Sequence, residues 1–122
     1  MQDFKMYGAL ALAYMGDSVY ETLIRKHLLE KGNAPVGKLH KLAKEYVSAK
    51  AQSKIMDILE PVLTEDETAV FKRGRNAKPH TVPKNTDIAV YKRATGMEAL
   101  FGYLYLTGNT ARVDELMSLI LK

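Results

Sequence analysis

The chain of 122 residues is predicted to fold as an all-α protein. Apolar side chains recur at spacings of three and four residues through most of its length, as they do on the buried face of a helix. No segment shows the sustained alternation that is typical of a half-buried strand, and the sequence contains no internal repeat. The length suits one domain with its own core, so we expect a single domain over residues 1–122.

The ends of the helices are marked by breakers and capping residues. Gly32-Asn33 and Gly108-Asn109 are typical of helix C-termini, and Thr64-Glu65-Asp66-Glu67 has the form of a capping box. The segment from Gly74 to Asn85 has no helical period and contains two prolines, so an ordered loop is expected there. Helices are predicted at Phe4–Lys31 (with a candidate break at Gly16), Val36–Tyr46, Ala49–Leu59 capped by Ser48, 64–73, Asp87–Leu106 capped by Thr86, and Thr110–Leu121.

The composition excludes several classes of protein. Without cysteine there can be no disulfide and no thiolate metal site, which fits a reducing compartment. The longest apolar runs are too short to span a membrane, and residues 1–5 lack the basic-then-apolar pattern of an export signal. We therefore expect a cytoplasmic protein with no membrane partner.

Positive charge is concentrated in two segments. Residues 38–54 contain five lysines and one glutamate, and residues 68–86 contain five lysines and arginines and no acid. These segments together carry +9, so that the remainder of the chain carries −5. A solvated lysine face would explain the first segment, whereas the second has its basic residues among Gly, Asn, Pro and His. Such clustering is typical of a surface that binds a polyanion.

One acid, Asp17, lies in an otherwise apolar segment. On a helix it ends a face of very small side chains that would let a neighbouring backbone or a ligand approach closely. An ionised carboxylate in such a place needs a cation, hydrogen-bond donors or water. Asp17 is therefore an N-cap for a helix beginning at Ser18, a partner for a lysine, or a metal ligand with room for a phosphate at Gly16. The small residues are Ala9, Ala13 and Gly16, and the apolar ones are Leu10, Leu12, Met15 and Val19.

A second acid, Glu98, has a similar setting. It follows Met97 in an apolar helical pattern, and Gly102 lies one turn later on the same face. Two such acids would repel each other if folding brought them together, unless a divalent cation lay between them. Mg²⁺ prefers oxygen ligands and keeps several of its waters. Asp17 and Glu98 are therefore candidate ligands of a magnesium ion.

The segments around the two acids resemble a known family. Residues 12–19 (LAYMGDSV) resemble the signature helix of ribonuclease III domains, and residues 93–106 (RATGMEALFGYLYL) resemble the second acidic motif of those domains. Further similarity to the bacterial Mini-ribonuclease III family, which consists of the catalytic domain alone, lies in residues 73–78 (RGRNAK) and 83–87 (PKNTD). The resemblance covers most of the chain in the expected order.

The resemblance implies a helical bundle that forms a homodimer, in which each protomer supplies one centre and cuts one strand of double-stranded RNA. It implies that Asp17 is the essential acid and Glu98 its partner in binding Mg²⁺, which helps water attack the phosphodiester and leaves a 5′-phosphate and a 3′-hydroxyl. The substrate that the family suggests is a paired stalk of 23S ribosomal RNA precursor, and a ribosomal protein is a candidate assisting partner.

The chain departs from full-length ribonuclease III enzymes at two acidic positions. Ala13 stands where those enzymes have glutamate four residues before the signature aspartate, and Thr95 where they have aspartate three residues before the second glutamate. The loss suggests one weakly held ion in place of two. Glu21 is either an outer-shell oxygen donor or a solvated or salt-bridged residue. Two rival hypotheses are a non-catalytic duplex-RNA-binding factor for ribosome assembly and a helical protein-interaction module.

A chain without a separate RNA-binding module has to hold the duplex with its own side chains. Duplex RNA is recognised mainly through phosphates, 2′-hydroxyls and shape, so sequence preference should be modest and binding should weaken steeply with salt. The predicted RNA-binding residues are Lys50, Lys54, Lys72, Arg73, Arg75, Asn76, Lys78, His80, Lys84 and Asn85.

Overall fold

The computed structural model describes residues 3–79 and 81–121, and this part of the chain contains helices and no strand. The all-α prediction is therefore confirmed. In chain order, the elements are a 3-10 turn at Phe4–Met6, α1 at Ala9–Glu30, α2 at Val36–Val47, α3 at Ala49–Leu59, a 3-10 turn at Glu60–Val62, α4 at Glu65–Asn76, α5 at Ile88–Leu106 and α6 at Thr110–Ile120. None of the described helices is long and apolar enough to cross a membrane.

Helix α5 lies at the centre of the fold, with α1, α3, α4 and α6 packed around it. Its sequence is apolar on nearly every side, which is typical of a buried helix. Met97, Leu100 and Phe101 are fully buried on α5, and the ring of Tyr20 from α1 lies 5.5 Å from the ring of Phe101, measured between centroids. The core therefore holds α1 and α5 against each other.

Two glycines allow α1 and α5 to touch through their backbones. A Cβ atom added at Gly16 would overlap the backbone carbonyl of Glu98, and one added at Gly102 would overlap the backbone carbonyl of Leu12. The small-residue face of the first helix was predicted to admit a backbone or a ligand. It admits the backbone of α5, so the prediction of room for a phosphate at Gly16 is wrong.

The first helix and the cap of the fifth differ from the prediction. α1 begins at Ala9 after a separate 3-10 turn, and it continues through Gly16 without a break because that glycine packs against α5. The N-cap of α5 is Asp87, which accepts hydrogen bonds from the backbone N–H groups of Ala89 at 2.8 Å and Val90 at 3.2 Å. Thr86, the predicted cap, lies one residue too early.

The remaining boundaries agree with the sequence except at the end of α4. The capping box of Thr64 and Glu67 is present, and the Ser48 hydroxyl caps α3 by accepting from the Ala51 N–H. α4, predicted to end near Arg73, continues to Asn76. Gly74 has the composition of a breaker, but a Cβ there would come within 2.7 Å of the Cβ of Ala99, so it marks close packing against α5. Of the described residues, 77–79 and 81–87 form the irregular connection between α4 and α5.

Candidate active site

The crossing of α1 and α5 brings Asp17 and Glu98 together. Because Gly16 contacts the backbone at Glu98, the next residue of α1 lies beside the Glu98 side chain, and the two carboxyl groups are close enough to share a hydrogen bond. Both line one open cavity of about 240 Å³. Its lining consists of Leu10, Ala13, Tyr14 and Asp17 from α1, Tyr91, Thr95 and Glu98 from α5, and Pro79 and Thr81 from the connection between α4 and α5.

The two acids differ in their exposure and in their electrostatics. Asp17 is exposed, whereas Glu98 is mostly buried. Burial raises the pKa of Glu98 to about 8, and the charge and hydrogen bond of Asp17 and the charge of Glu21 add to the effect, while the Gln52 amide opposes it. At neutral pH and without a cation, Glu98 therefore holds a proton.

The structure excludes two of the three alternatives for Asp17. This residue lies in the interior of α1, so it is not the N-cap of a helix that begins at Ser18. The Ser18 hydroxyl instead donates to the Met15 carbonyl at 2.9 Å. Within residues 3–79 and 81–121, Asp17 forms no ion pair with a lysine or arginine. The acid beside it is Glu98, with which it is close enough to share a hydrogen bond, and the metal-ligand hypothesis stays a prediction.

The two positions that lack acids line the same cavity. Ala13 and Thr95 both face the space beside Asp17 and Glu98, and the Thr95 hydroxyl donates to the Tyr91 carbonyl at 3.0 Å. In the described part of the chain, no group of three or more His, Cys, Asp or Glu side chains is placed to hold a metal. The site therefore offers two carboxylates, with neutral side chains where further acids would fit.

Glu21 is salt-bridged to Arg25, as one of its two predicted roles required. The distance between the carboxylate and the guanidinium is 2.8 Å, and both side chains belong to α1, one turn apart. Glu21 still contributes to the field at Glu98, since its negative charge raises the pKa of that residue. Glu21 therefore affects the pKa of Glu98 through its charge, while its own hydrogen bond is made with Arg25.

The predicted RNA-binding residues lie on several different elements of the structure. The connection formed by residues 77–87 borders the cavity and carries Lys78, Lys84 and Asn85, whose φ of 64° is the left-handed conformation of a tight turn. Lys50 and Lys54 are exposed on α3. His80 lies outside the described residues.

The basic residues 72–76 were expected in an irregular segment but lie on helix α4. The Arg75 guanidinium lies 5.8 Å from the centre of the Phe71 ring and donates to the Asn76 side chain. The Arg73 guanidinium donates to the backbone carbonyls of Lys5 and Tyr7, both at 2.6 Å. Arg73 therefore fastens the N-terminal turn to α4, a structural contact that the sequence did not reveal.

Sequence reasoning also missed Gln52 on α3. Its side chain is 2% exposed and its amide hydrogen-bonds Glu98. The signal was present in the spacing, because Gln52 precedes Ile55, Met56 and Leu59 by three, four and seven residues and so occupies the buried face of its helix. An amide on such a face requires a polar partner in the core.

The chain is similar to known proteins over nearly its whole length. The sequence profile described as the Ribonuclease III domain matches residues 10–109. Mini-ribonuclease 3 from Enterococcus faecalis is 47% identical over 124 residues, covering 100% of this chain and 94% of the relative. Mini-ribonuclease 3 from Symbiobacterium thermophilum is 51% identical over 108 residues, covering 88% of this chain and 83% of the relative. A crystal structure of a protein from Fusobacterium nucleatum superposes with a TM-score of 0.88 at 32% identity, covering 99% of this chain and 97% of the other.

These matches define the class as a ribonuclease III domain, a helical fold that carries endonuclease activity. The chain belongs to the Mini-ribonuclease III family within that class, as the resemblance of its two acidic segments predicted. It is therefore an endoribonuclease, and double-stranded RNA is the substrate class of its family. The hypothesis of a protein-interaction module is wrong.

Proposed function

We propose that this endoribonuclease uses Mg²⁺ held by Asp17 and Glu98 to cut a paired stalk of 23S ribosomal RNA precursor in the cytoplasm. The observation that carries the proposal is the pairing of these acids on the wall of one open cavity. The ribosomal substrate and the assistance of a ribosomal protein follow from the family resemblance. The acid pair supports the chemistry, and the basic segment beside it supports the polyanionic substrate.

The donor set fits a magnesium ion. The raised pKa of Glu98 is caused by burial and by the charge of Asp17. Holding both acids ionised at this distance is therefore unfavourable in the absence of a cation. A divalent cation between them would remove the repulsion and leave both acids ionised. Carboxylate oxygens are the ligands that Mg²⁺ selects. With Ala13 and Thr95 neutral, the protein offers two such groups, and water and phosphate would complete the shell of one ion.

The residues can be assigned parts in a phosphodiester hydrolysis. An ion held by Asp17 and Glu98 would supply positive charge for the phosphate oxygens and would activate the attacking water. Asp17, the exposed acid, would orient that water from the solvent side, and Glu98, the less exposed one, would anchor the site from the protein side. The water oxygen bonds to phosphorus as the bond to the 3′-oxygen breaks. The water releases one proton and the 3′-oxygen takes one up, so the products are a 3′-hydroxyl and a 5′-phosphate.

The duplex would be held by its phosphates. Pro79 and Thr81 line the cavity, so the connection that carries Lys78 and Lys84 borders the two acids. Arg73 uses its donors within the protein and would hold this surface in place. The remaining proposed contacts are Lys50, Lys54, Lys72, Arg75, Asn76, Lys78, His80, Lys84 and Asn85. If six to eight of these meet phosphates, affinity should fall by about 10³-fold or more between 50 and 200 mM salt.

A homodimer completes the proposal, because two strands need two centres. The family resemblance implies this assembly, and Tyr14, which lines the cavity, is 84% exposed. A large aromatic side chain so open to water is suited to contact with a second copy of the chain. Sedimentation equilibrium should give twice the mass of the chain at micromolar concentration. A monomer that cuts both strands of one duplex would contradict this part of the proposal.

The decisive experiment compares the wild-type protein with Asp17→Asn on an end-labelled RNA hairpin, in Mg²⁺ and in EDTA. We expect the wild type to cut in Mg²⁺ alone, and Asp17→Asn to bind the hairpin without cutting it. Asp114→Asn, which makes the same change at an exposed position on α6, is the matched control and should cut at the wild-type rate. Cleavage by Asp17→Asn at that rate would refute the assignment. Retention of RNA without cleavage by the wild type would restore the non-catalytic alternative.

A further inference from the structure

Gln52 is an unusual residue for the place it occupies. In the described part of the chain, Gln52 and Glu67 make up the buried polar and charged residues. Glu67 is fully satisfied by an arginine and a helix cap, whereas Gln52 has a buried side-chain oxygen, Oε1, without a hydrogen-bond partner. The other inward-facing residues of α3 are Ile55, Met56 and Leu59. Such an unpaired acceptor destabilises a core.

The nitrogen of the same amide faces two acceptors. Nε2 donates to the Val47 carbonyl at 3.2 Å, at the end of α2, and the amide also lies close enough to the Glu98 carboxyl group to hydrogen-bond it. An amide nitrogen carries two hydrogens, which is the number that these two acceptors require. Exchanging the nitrogen and the oxygen would set Oε1 against the Val47 carbonyl, which cannot donate to it. The orientation of the amide is therefore fixed.

We propose that Gln52 is a positioning residue of the endoribonuclease, whose amide holds the Glu98 carboxylate in the orientation in which it meets Asp17. The inference rests on the proposed function, because it assigns Gln52 to the support of the same acid pair. The Val47 carbonyl fixes the amide, and the amide fixes the carboxylate. A metal-binding carboxylate that is hydrogen-bonded by a second residue is held in its productive rotamer before the ion arrives.

A purely structural role predicts something different. Methionine has nearly the same length and shape as glutamine and carries no polar group that burial would leave unpaired. If Gln52 only filled space, Gln52→Met would be harmless to activity. If Gln52 positions Glu98, the same variant should keep or gain thermal stability and lose function. The two roles therefore give opposite combinations of stability and activity.

The test measures stability, cleavage and metal binding on the full chain. For Gln52→Met we expect a Tm equal to or above that of the wild type, with kcat on the RNA hairpin about 10- to 100-fold lower and KM unchanged. Mn²⁺ binding without RNA, followed by the electron paramagnetic resonance signal of the free ion, should weaken by a similar factor. Gln52→Leu should give the same results as Gln52→Met in all three measurements. Ser53→Ala on the same helix is the matched control and should match the wild type in all three measurements.

The outcomes separate the inference from the function on which it rests. Wild-type cleavage and Mn²⁺ binding by Gln52→Met would overturn the positioning role and leave the proposed function standing. A fall in Tm of about 10 °C in both variants, in step with lost activity, would also overturn it in favour of a structural role. If Asp17→Asn binds Mn²⁺ as well as the wild type does, the proposed metal site itself fails, and the inference fails with it.

Discussion

Two glutamates withdrawn from water, Glu67 on α4 and Glu98 on α5, have opposite electrostatic environments. Burial alone would raise the pKa of Glu67, but hydrogen bonds from Arg112 and the Thr64 backbone outweigh it and lower that pKa. Both carboxylate oxygens of Glu67 accept from Arg112 at 2.9 Å. Glu98 has an acid, Asp17, where Glu67 has a cation, and its pKa rises to about 8.

The difference separates an acid that stabilises the fold from one that we propose serves catalysis. Arg112 comes from α6 and pairs with Glu67 on α4, so the chain provides its own countercharge and joins two helices. At Glu98 the chain adds negative charge to a buried carboxyl group, which costs stability without any structural return. Perturbed carboxyl groups of the second kind are typical of functional sites. Four experiments test this division.

The largest effect is expected from Glu98→Gln. Losing one of two ligands should lower cleavage by about 10³-fold or more, because the ion contributes several kcal/mol to the transition state. The Tm should not fall, since glutamine replaces an acid whose ionised form is disfavoured by burial and by the charge of Asp17. Cleavage of an RNA hairpin and a thermal melt on the same sample check both statements. A variant that unfolds while Glu67→Gln remains stable would reverse the division proposed here.

The second effect is a loss of stability in Glu67→Gln. Breaking a buried ion pair leaves Arg112 without its main partner and should cost about 3 kcal/mol of unfolding free energy, measured by urea titration. Because the pKa of Glu67 is lowered on folding, this stabilisation is present at neutral pH and is lost as the pH falls from 4.5 through the folded value. The folded fraction should keep its cleavage rate.

A control for Glu67→Gln is available on the same arginine. Glu115 lies 3.6 Å from Arg112, but its side chain is 69% exposed. Glu115→Gln should therefore cost less than about 1 kcal/mol. Equal losses in the two variants would show that burial, on which the comparison rests, has no influence here.

A third, smaller effect concerns pH in the absence of metal. The folded pKa of Glu98, about 8, lies above its reference value of 4.5, so between these values the folded state binds more protons than the unfolded state. The wild type in EDTA should therefore lose stability relative to Glu98→Gln as the pH rises from 5 to 8, by about 2–3 kcal/mol, or roughly 10 °C in Tm. Adding Mg²⁺ should reduce the difference in Tm between the wild type and Glu98→Gln. A gap that is independent of pH would contradict the raised pKa.

The smallest effect should come from restoring an acid at Thr95, which lines the cavity beside the pair. Thr95→Asp adds a third carboxylate and should lower the Mg²⁺ concentration for half-maximal cleavage about threefold, or roughly 0.7 kcal/mol. In EDTA the same variant should melt earlier than the wild type because the added charge is repelled. Thr95→Asn, of the same shape but neutral, separates charge from size. An equal response from both variants would exclude a role for charge.

Most of the helices could be predicted from the sequence. Asp17 and Glu98 could be identified as candidate site residues because each is a single acid in an apolar helical pattern. The sequence did not predict Gln52, whose partner Glu98 is far along the chain, nor the contact of Arg73 with the N-terminal turn. It also read Gly16 and Gly74 as local breakers, although both are sites of helix contact. These errors share a cause. Local composition shows which backbone conformations a residue permits. Contacts with distant parts of the chain determine whether a glycine ends a helix or allows another helix to pack closely against it.

The meeting of main chain with main chain at Gly16 and Gly102 also bears on how the enzyme responds to heat. At this contact no side chain lies between the two helices. The distance between the helices therefore does not change when side chains begin to exchange rotamers on heating. The geometry of the two carboxyl groups is thereby insulated from gradual loosening of the interior. Turnover should rise smoothly with temperature until the protein melts cooperatively, with no earlier decline.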